Sequence, residues 1–158
     1  MTPAQNAARL HDAIGEALQL FQSVDETRAT VPAPQGGWCA RQILGHLIDS
    51  ACNNHRRFVL GQSPSLQRYD AYDQDEWVAR QRYEKVPWRD LLTLWTAYNR
   101  HLAHIMACVS DEAAAREALA SDGTRSVTLA FLMEDYVRHL RHHIDQLRTR
   151  LAPGRSSA

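Results

Sequence analysis

The sequence lacks most of the features that would announce a function outright. There is no excess of either charge: 18 Lys and Arg stand against 18 Asp and Glu, for a formal net charge of zero with histidine neutral. Non-specific nucleic-acid binding needs a basic excess or a basic face, so no nucleic-acid partner is expected. No apolar run approaches the roughly 18–20 residues that a membrane-spanning helix requires, and no membrane partner is expected either. Only three cysteines occur, Cys39, Cys52 and Cys108, with no CxxC pair among them. That odd number disfavours a disulfide framework or a zinc ribbon and makes a reducing, cytoplasmic setting the default. The N-terminal stretch MTPAQNAARLHDAIGEALQLF has no basic-then-apolar export pattern and has the spacing of an amphipathic helix. Lysine is nearly missing, Lys85 alone against 17 arginines; the arginines are scattered rather than striped, which marks coding bias rather than a binding face.

What is present is a chain of 158 residues, 44% hydrophobic and 23% charged, which suits one globular domain with a proper core. Helical periodicity dominates, and no alternating strand pattern exceeds a few residues. A first helix is expected from Pro3 to Val24, with Thr2 as N-cap and Leu10, Ile14, Ala17, Leu18 and Phe21 inward. The Pro- and Gly-containing stretch DETRATVPAPQGG breaks it. A second helix should run from Cys39 to Leu60, followed by a long loop and a short helix from Gln74 to Arg82 capped by Asp73. A third opens at Pro87 and reaches Val109, with Leu91, Trp95, Tyr98, Leu102, Ile105 and Val109 on one face. A weaker helical patch lies between Asp111 and Leu119, SDGTRS is a turn, and a last helix runs from Thr128 to Leu151. The expected fold class is therefore all-α: a four-helix bundle with a long connection between helices two and three. One domain should span residues 1–151, and residues 152–158 should form a frayed tail.

Histidine is the surplus: eight residues, five of them between Leu94 and Asp145. With 100° of turn per residue, the inward centre of the last helix is defined by Leu129, Tyr136, Leu140 and Leu147. His143 lies roughly 40° from that centre, His139 roughly 80° and His142 roughly 140°. His139 and His143 are thus stacked one turn apart on the border of the buried face, while His142 looks outward. Two imidazoles at i and i+4 can share one ion, although such a pair also arises as ordinary hydrogen-bonded histidines. HExxH is absent, so this is not a zincin, and the ExxH pairs of a di-iron bundle are missing. On helix two, His46, Ser50, Asn53 and Arg57 form a polar stripe that either faces water or lines a polar pocket, and spacing alone favours water. Trp38 is expected to be a core anchor. His11, His101 and His104 have no assigned role.

The segments GWCARQILGHLIDSACNNHRRF, YDAYDQDEW and YVRHLRHHIDQLR together resemble the DinB/YfiT-like superfamily of metal-dependent enzymes, from about Leu10 to Arg148. The resemblance implies a four-helix bundle, often a homodimer, with a divalent metal such as zinc or nickel held by His46, His139 and His143. It overrides the water-facing preference for the His46 stripe. Three neutral imidazoles leave coordination positions open, the mark of a reactive rather than a structural site. Some relatives are transferases that use low-molecular-weight thiols, and others are named hydrolases. The expected function is therefore metal-dependent transfer or hydrolysis on a small molecule; the alternative is a non-catalytic metal- or ligand-binding stress-response bundle. Asp49 and Arg57 are the candidate catalytic groups, with Ser50, Asn53 and Arg57 candidates for substrate binding and Arg57 suited to a carboxylate. A surface ion pair between Asp49 and Arg57 is the competing reading.

Overall fold

The computed structural model describes residues 1–33 and 36–151. The tail at 152–158, expected to fray, lies outside the described residues. Four long helices form the frame: α1 (Pro3–Phe21), α3 (Ala40–Leu60), α5 (Trp88–Cys108) and α7 (Leu129–Leu151). Between them lie α2 (Glu26–Thr30), α4 (Gln74–Gln81), a 3-10 turn (Tyr83–Lys85) and α6 (Asp111–Ala114). A two-stranded antiparallel hairpin, β1 (Glu117–Leu119) and β2 (Ser126–Thr128), completes the chain, with Ala118 opposite Val127.

The helix starts follow local chemistry. Thr2 accepts from the Gln5 amide while Gln5 reaches back to the Thr2 amide, a capping box at the head of α1. Asp73 caps α4 through the Glu76 amide, as expected from sequence. Asp25 does the same for α2 through the Arg28 amide, within a stretch expected only to break a helix. The helical patch expected from Asp111 to Leu119 instead stops at Ala114 and turns into β1. One capped turn has no apolar stripe to propagate it, whereas Ala118 and Val127 gain a ladder partner and burial. Gly123, at φ +77°, makes the turn of that hairpin.

Around the bundle the order is α1, α5, α3, α7, so α1 and α3 are diagonal, as are α5 and α7. The end of α1 meets the start of α5 through Phe21 and Trp88, whose rings lie 5.8 Å apart. The end of α3 meets the start of α7, where Gly61 leaves room for the Leu129 side chain. Both pairs therefore run antiparallel, while the start of α3 lies beside the start of α5 through Arg41 and the Glu84 carbonyl. The expected inward residues Leu10, Ile14, Ala17 and Phe21 are buried, as are Trp95, Leu102, Tyr136, Leu140 and Leu147. Each Leu, Ile or Phe among these contributes about 1.5–3 kcal/mol of transfer free energy. A smaller cluster, Tyr69 with Ala118 and Val127, packs the 61–73 loop beneath the hairpin. No helix among the described residues is long and apolar enough to cross a membrane.

Candidate metal centre

The antiparallel pairing of α3 and α7 decides which histidines meet. His139 and His143, four residues apart on α7, face the early turns of α3, where His46 points back at them. His46 Nε2 lies 3.4 Å from His139 Nε2, which lies 3.1 Å from His143 Nε2. One nitrogen from each of the three rings falls within 4.8 Å of the others. Two imidazoles on one ion at about 2.0–2.1 Å with tetrahedral angles would place their nitrogens about 3.3–3.4 Å apart, close to the two spacings made by His139. His46 is 1% exposed, and His139 and His143 are half-buried.

The hydrogen-bonding pattern also favours a cation between the rings. Gln146 Oε1 lies 2.8 Å from His143 Nδ1, and its Nε2 lies 3.0 Å from His142 Nε2. The amide donates to His142 and accepts from His143 Nδ1–H, so the lone pair of His143 Nε2 points inward, the tautomer a ligand needs. A single N–H on His139 Nε2 can satisfy only one of its two neighbours. Burial is the largest cause of the lowered basicity of all three rings. It depresses His46 to about 3, helped by His143 and His139, and His139 to about 4, helped by His143. His143 is lowered by burial and partly restored by Gln146. All three are therefore neutral at pH 7 with lone pairs available.

The residues of the polar stripe do not face water. The connection between α3 and α5 folds back over α3 and covers them. Asp49 is 2% exposed; its Oδ1 accepts from Tyr83 Oη at 2.6 Å and Gln81 Nε2 at 2.7 Å. Asp49 Oδ2 is buried without a partner, as is His46 Nδ1. Burial raises the proton affinity of Asp49 against the lowering effect of Tyr83 and Gln81. Gly45 makes this contact possible, because a methyl group there would overlap the Tyr83 ring. No ion pair joins Asp49 to Arg57: Arg57 donates to the Asp70 carbonyl at 2.7 Å.

Two hollows lie near the cluster, and of its three rings only His139 lines one of them, the smaller. One is an open groove of about 900 Å³ lined by Trp38, Ile43, His142, Gln146, Arg28 and Arg150. Trp38 is half-buried rather than a fully enclosed anchor, with its ring 5.2 Å from that of His46. The other, of about 170 Å³, is lined by Ser50, Asn54, Arg57, Tyr72, Asp135 and His139, among others. Ser50 and Arg57 thus reach a cavity beside the cluster. Asn53 bonds the Asp49 carbonyl through its amide and borders a separate hollow of about 60 Å³, which Arg57 also lines. Sequence reasoning missed Asn54, Tyr72, Gln81, Tyr83 and Gln146. Gln146 could have been found from its i+3 spacing to His143, but the tyrosines and Gln81 arrive from a connection whose path no periodicity records.

A second histidine group lies across α3 and α5. His55 Nδ1 lies 3.1 Å from Tyr98 Oη, and its ring centre lies 5.2 Å from that of His101. His101 stacks at 6.4 Å on His104, which contacts Cys108. Among the described residues only His46, His139 and His143 form a group of three or more such donors converging on one point.

The sequence pattern of the DinB superfamily matches residues 9–147. A Bacillus subtilis (strain 168) protein named "Putative metal-dependent hydrolase YfiT" is 25% identical over 126 residues, covering 80% of this chain and 71% of that one. A Bacillus cereus (strain B4264) protein, also named as a metal-dependent hydrolase of that putative class, is 25% identical over 145 residues, covering 90% and 83%. The solved structure of Bacillus subtilis YfiT, described as an unusual four-helix bundle topology, superposes with a TM-score of 0.82 at 22% identity, over 94% of this chain and 87% of that one. A mycothiol-dependent maleylpyruvate isomerase superposes at 0.77 with 14% identity, over 93% of this chain but 61% of that one.

Proposed function

The chain belongs to the DinB superfamily, and from that premise we propose that it is an enzyme using a divalent ion, zinc or nickel, on His46, His139 and His143. The observation that carries this reading is the convergence of three neutral imidazole nitrogens with spacings that suit a single ion. The ion would supply Lewis acidity that turns water or a thiol into a nucleophile at neutral pH, with coordination positions left open by only three protein ligands. The chain's own residues do the rest. Gln146 fixes the His143 tautomer, Tyr83 and Gln81 hold Asp49, and the free Asp49 Oδ2 can take or return a proton. Trp38 walls the larger groove, whose volume suits a low-molecular-weight thiol. Thiol transfer is favoured over hydrolysis by the two separate hollows, which suit two reactants, and by the mycothiol dependence of the isomerase of like fold. Residues 1–151 acting as one domain, a homodimeric state and a cytoplasmic setting belong to the same proposal, and the three free cysteines are compatible with a reducing compartment.

Elemental analysis of protein purified without a polyhistidine tag tests the centre. About one divalent ion per chain is expected, kept in His142→Ala and lost in His139→Ala; the reverse pattern overturns the assignment. A panel of thiols and electrophiles, assayed with and without chelator, then separates transfer from hydrolysis. Ligand binding without turnover would return the non-catalytic binding module.

A further inference from the structure

The smaller hollow points to a chemical class of substrate, an inference that rests on the metal-centre reading above. Arg57 sits half-buried on its wall, with Ser50, Asn54 and Tyr72 beside it and His139 at the end that meets the imidazole cluster. Two carboxylates lie near this guanidinium, and both are engaged by other arginines. Asp70 pairs with Arg56 at 3.0 Å, and Asp135 pairs with Arg138. Arg57 itself makes no ion pair among the described residues; its one hydrogen bond runs from Nη2 to the Asp70 carbonyl. That bond anchors the guanidinium and leaves its other N–H groups for a ligand. Burial lowers the Arg57 pKa somewhat, with Tyr72 and Asp70 opposing, so the charge sits in a partly desolvated setting where a charge-assisted bond is strong. Tyr72 is pushed up to about 12, chiefly by burial, and so offers a neutral O–H at pH 7.

We propose that the small reactant of this enzyme is a carboxylic acid, bound in the cavity of about 170 Å³ with its carboxylate on Arg57 and its reacting end toward His139. The planar guanidinium matches a carboxylate in two parallel hydrogen bonds, and Ser50 and Tyr72 supply further polar contacts. The volume is well below the ~300 Å³ at which drug-sized ligand sites begin, so the acid is small. The larger groove, lined by Trp38 and His142, remains for the second reactant. Asn54 Nδ2 donates to the Ser50 carbonyl and Oγ, and its Oδ1, an acceptor, has nothing to offer a carboxylate.

The test is a titration of the full chain, zinc-loaded and metal-free, with butyrate and its neutral isostere butyramide, followed by the side-chain N–H resonances of arginine. Butyrate should bind at least about tenfold more tightly than butyramide in both forms, with the Arg57 resonance moving. Arg57→Met should erase that preference without changing zinc content, and Arg57→Lys should keep part of it. Tyr72→Phe, which leaves the Asp70 anchor intact, should weaken butyrate by a few-fold. Equal binding of acid and amide by the unaltered protein overturns the proposal. So does a preference that survives Arg57→Met and disappears with the metal, because the carboxylate would then sit on the ion. Failure of the unaltered chain to take up zinc would instead sink the metal-centre reading, and the metal-free titration would still decide the Arg57 question.

Discussion

Two groups of histidines occupy this bundle, and they differ in what surrounds them. His46, His139 and His143 lie between α3 and α7, are buried or half-buried, and aim Nε2 atoms at one another. His55, His101 and His104 lie between α3 and α5, and there the two helices run parallel with the rings arranged in a row along the surface. His101 and His104 are exposed, and His55 spends Nδ1 on Tyr98. Ring proximity overlaps between the two groups: His46 and His139 lie 5.2 Å apart between centres, as do His55 and His101, with His104 further off at 6.4 Å from His101. Convergence differs. The first group has three donors around one point and an amide fixing a tautomer; the second has neither. A metal centre is set by where lone pairs meet and how well they are shielded, rather than by the local density of imidazole.

The largest effect should come from removing one member of the converging group. His46→Ala is expected to lower metal affinity by about 100-fold or more, whereas the combined His101→Ala, His104→Ala variant should keep the full stoichiometry. Competition titration with a chromogenic chelator measures both, and equal losses would erase the distinction between the groups. Next comes Gln146→Leu, which removes the acceptor that holds the His143 tautomer. A drop of about 10–100-fold in metal affinity is expected, with the fold intact by circular dichroism, because outer partners of ligating histidines act at that scale.

The smallest and most gradual effect is on acid stability of the metal-free protein. His46 and His139 titrate near 3 and 4 when folded but near 6.5 when exposed, so the unfolded chain binds protons first. The stability conferred by keeping these rings neutral is complete above about pH 6.5 and is lost as pH falls through the interval toward 4. Thermal melts between pH 7.5 and pH 4.5 should fall more steeply for the unaltered chain than for His46→Gln, which has one fewer ring to protonate. Parallel slopes would show that the buried rings do not titrate as their surroundings imply.

Much of the frame was legible along the chain because a helix writes its buried face at a fixed interval. Leu10, Ile14 and Phe21, or Tyr136, Leu140 and Leu147, give such faces directly, and Asp73 marked the start of α4 by its capping chemistry. The same arithmetic put His142 outside and His139 and His143 at the border, as the exposure of these rings has it. Short elements were less legible. A three-residue strand such as β2 has too few positions to establish a period, and Glu26–Thr30 is hidden between a proline-rich stretch and a helix end.

The polar stripe on α3 marks the limit of that reasoning. From spacing, His46, Ser50, Asn53 and Arg57 share a side, and polar side chains on one side usually meet water. Here Tyr72, Gln81 and Tyr83 come from a connection more than twenty residues beyond His46, and they enclose Asp49 and shape the cavity at Arg57. Gly45 allows that approach, but a glycine within a helix does not announce which ring will lie against it.

The sequence by itself determined four amphipathic helices, the caps at Thr2 and Asp73, and the i, i+4 pair on the last long helix, because each depends on neighbours within a turn or two. Tertiary structure alone decided that His46 would face that pair, that Arg57 would border a cavity without forming an ion pair among the described residues, and that His55 and His101 would meet without converging. Those outcomes depend on which helices pack antiparallel and where the connections cross them, and both are settled by the mutual burial of apolar faces far apart in the chain.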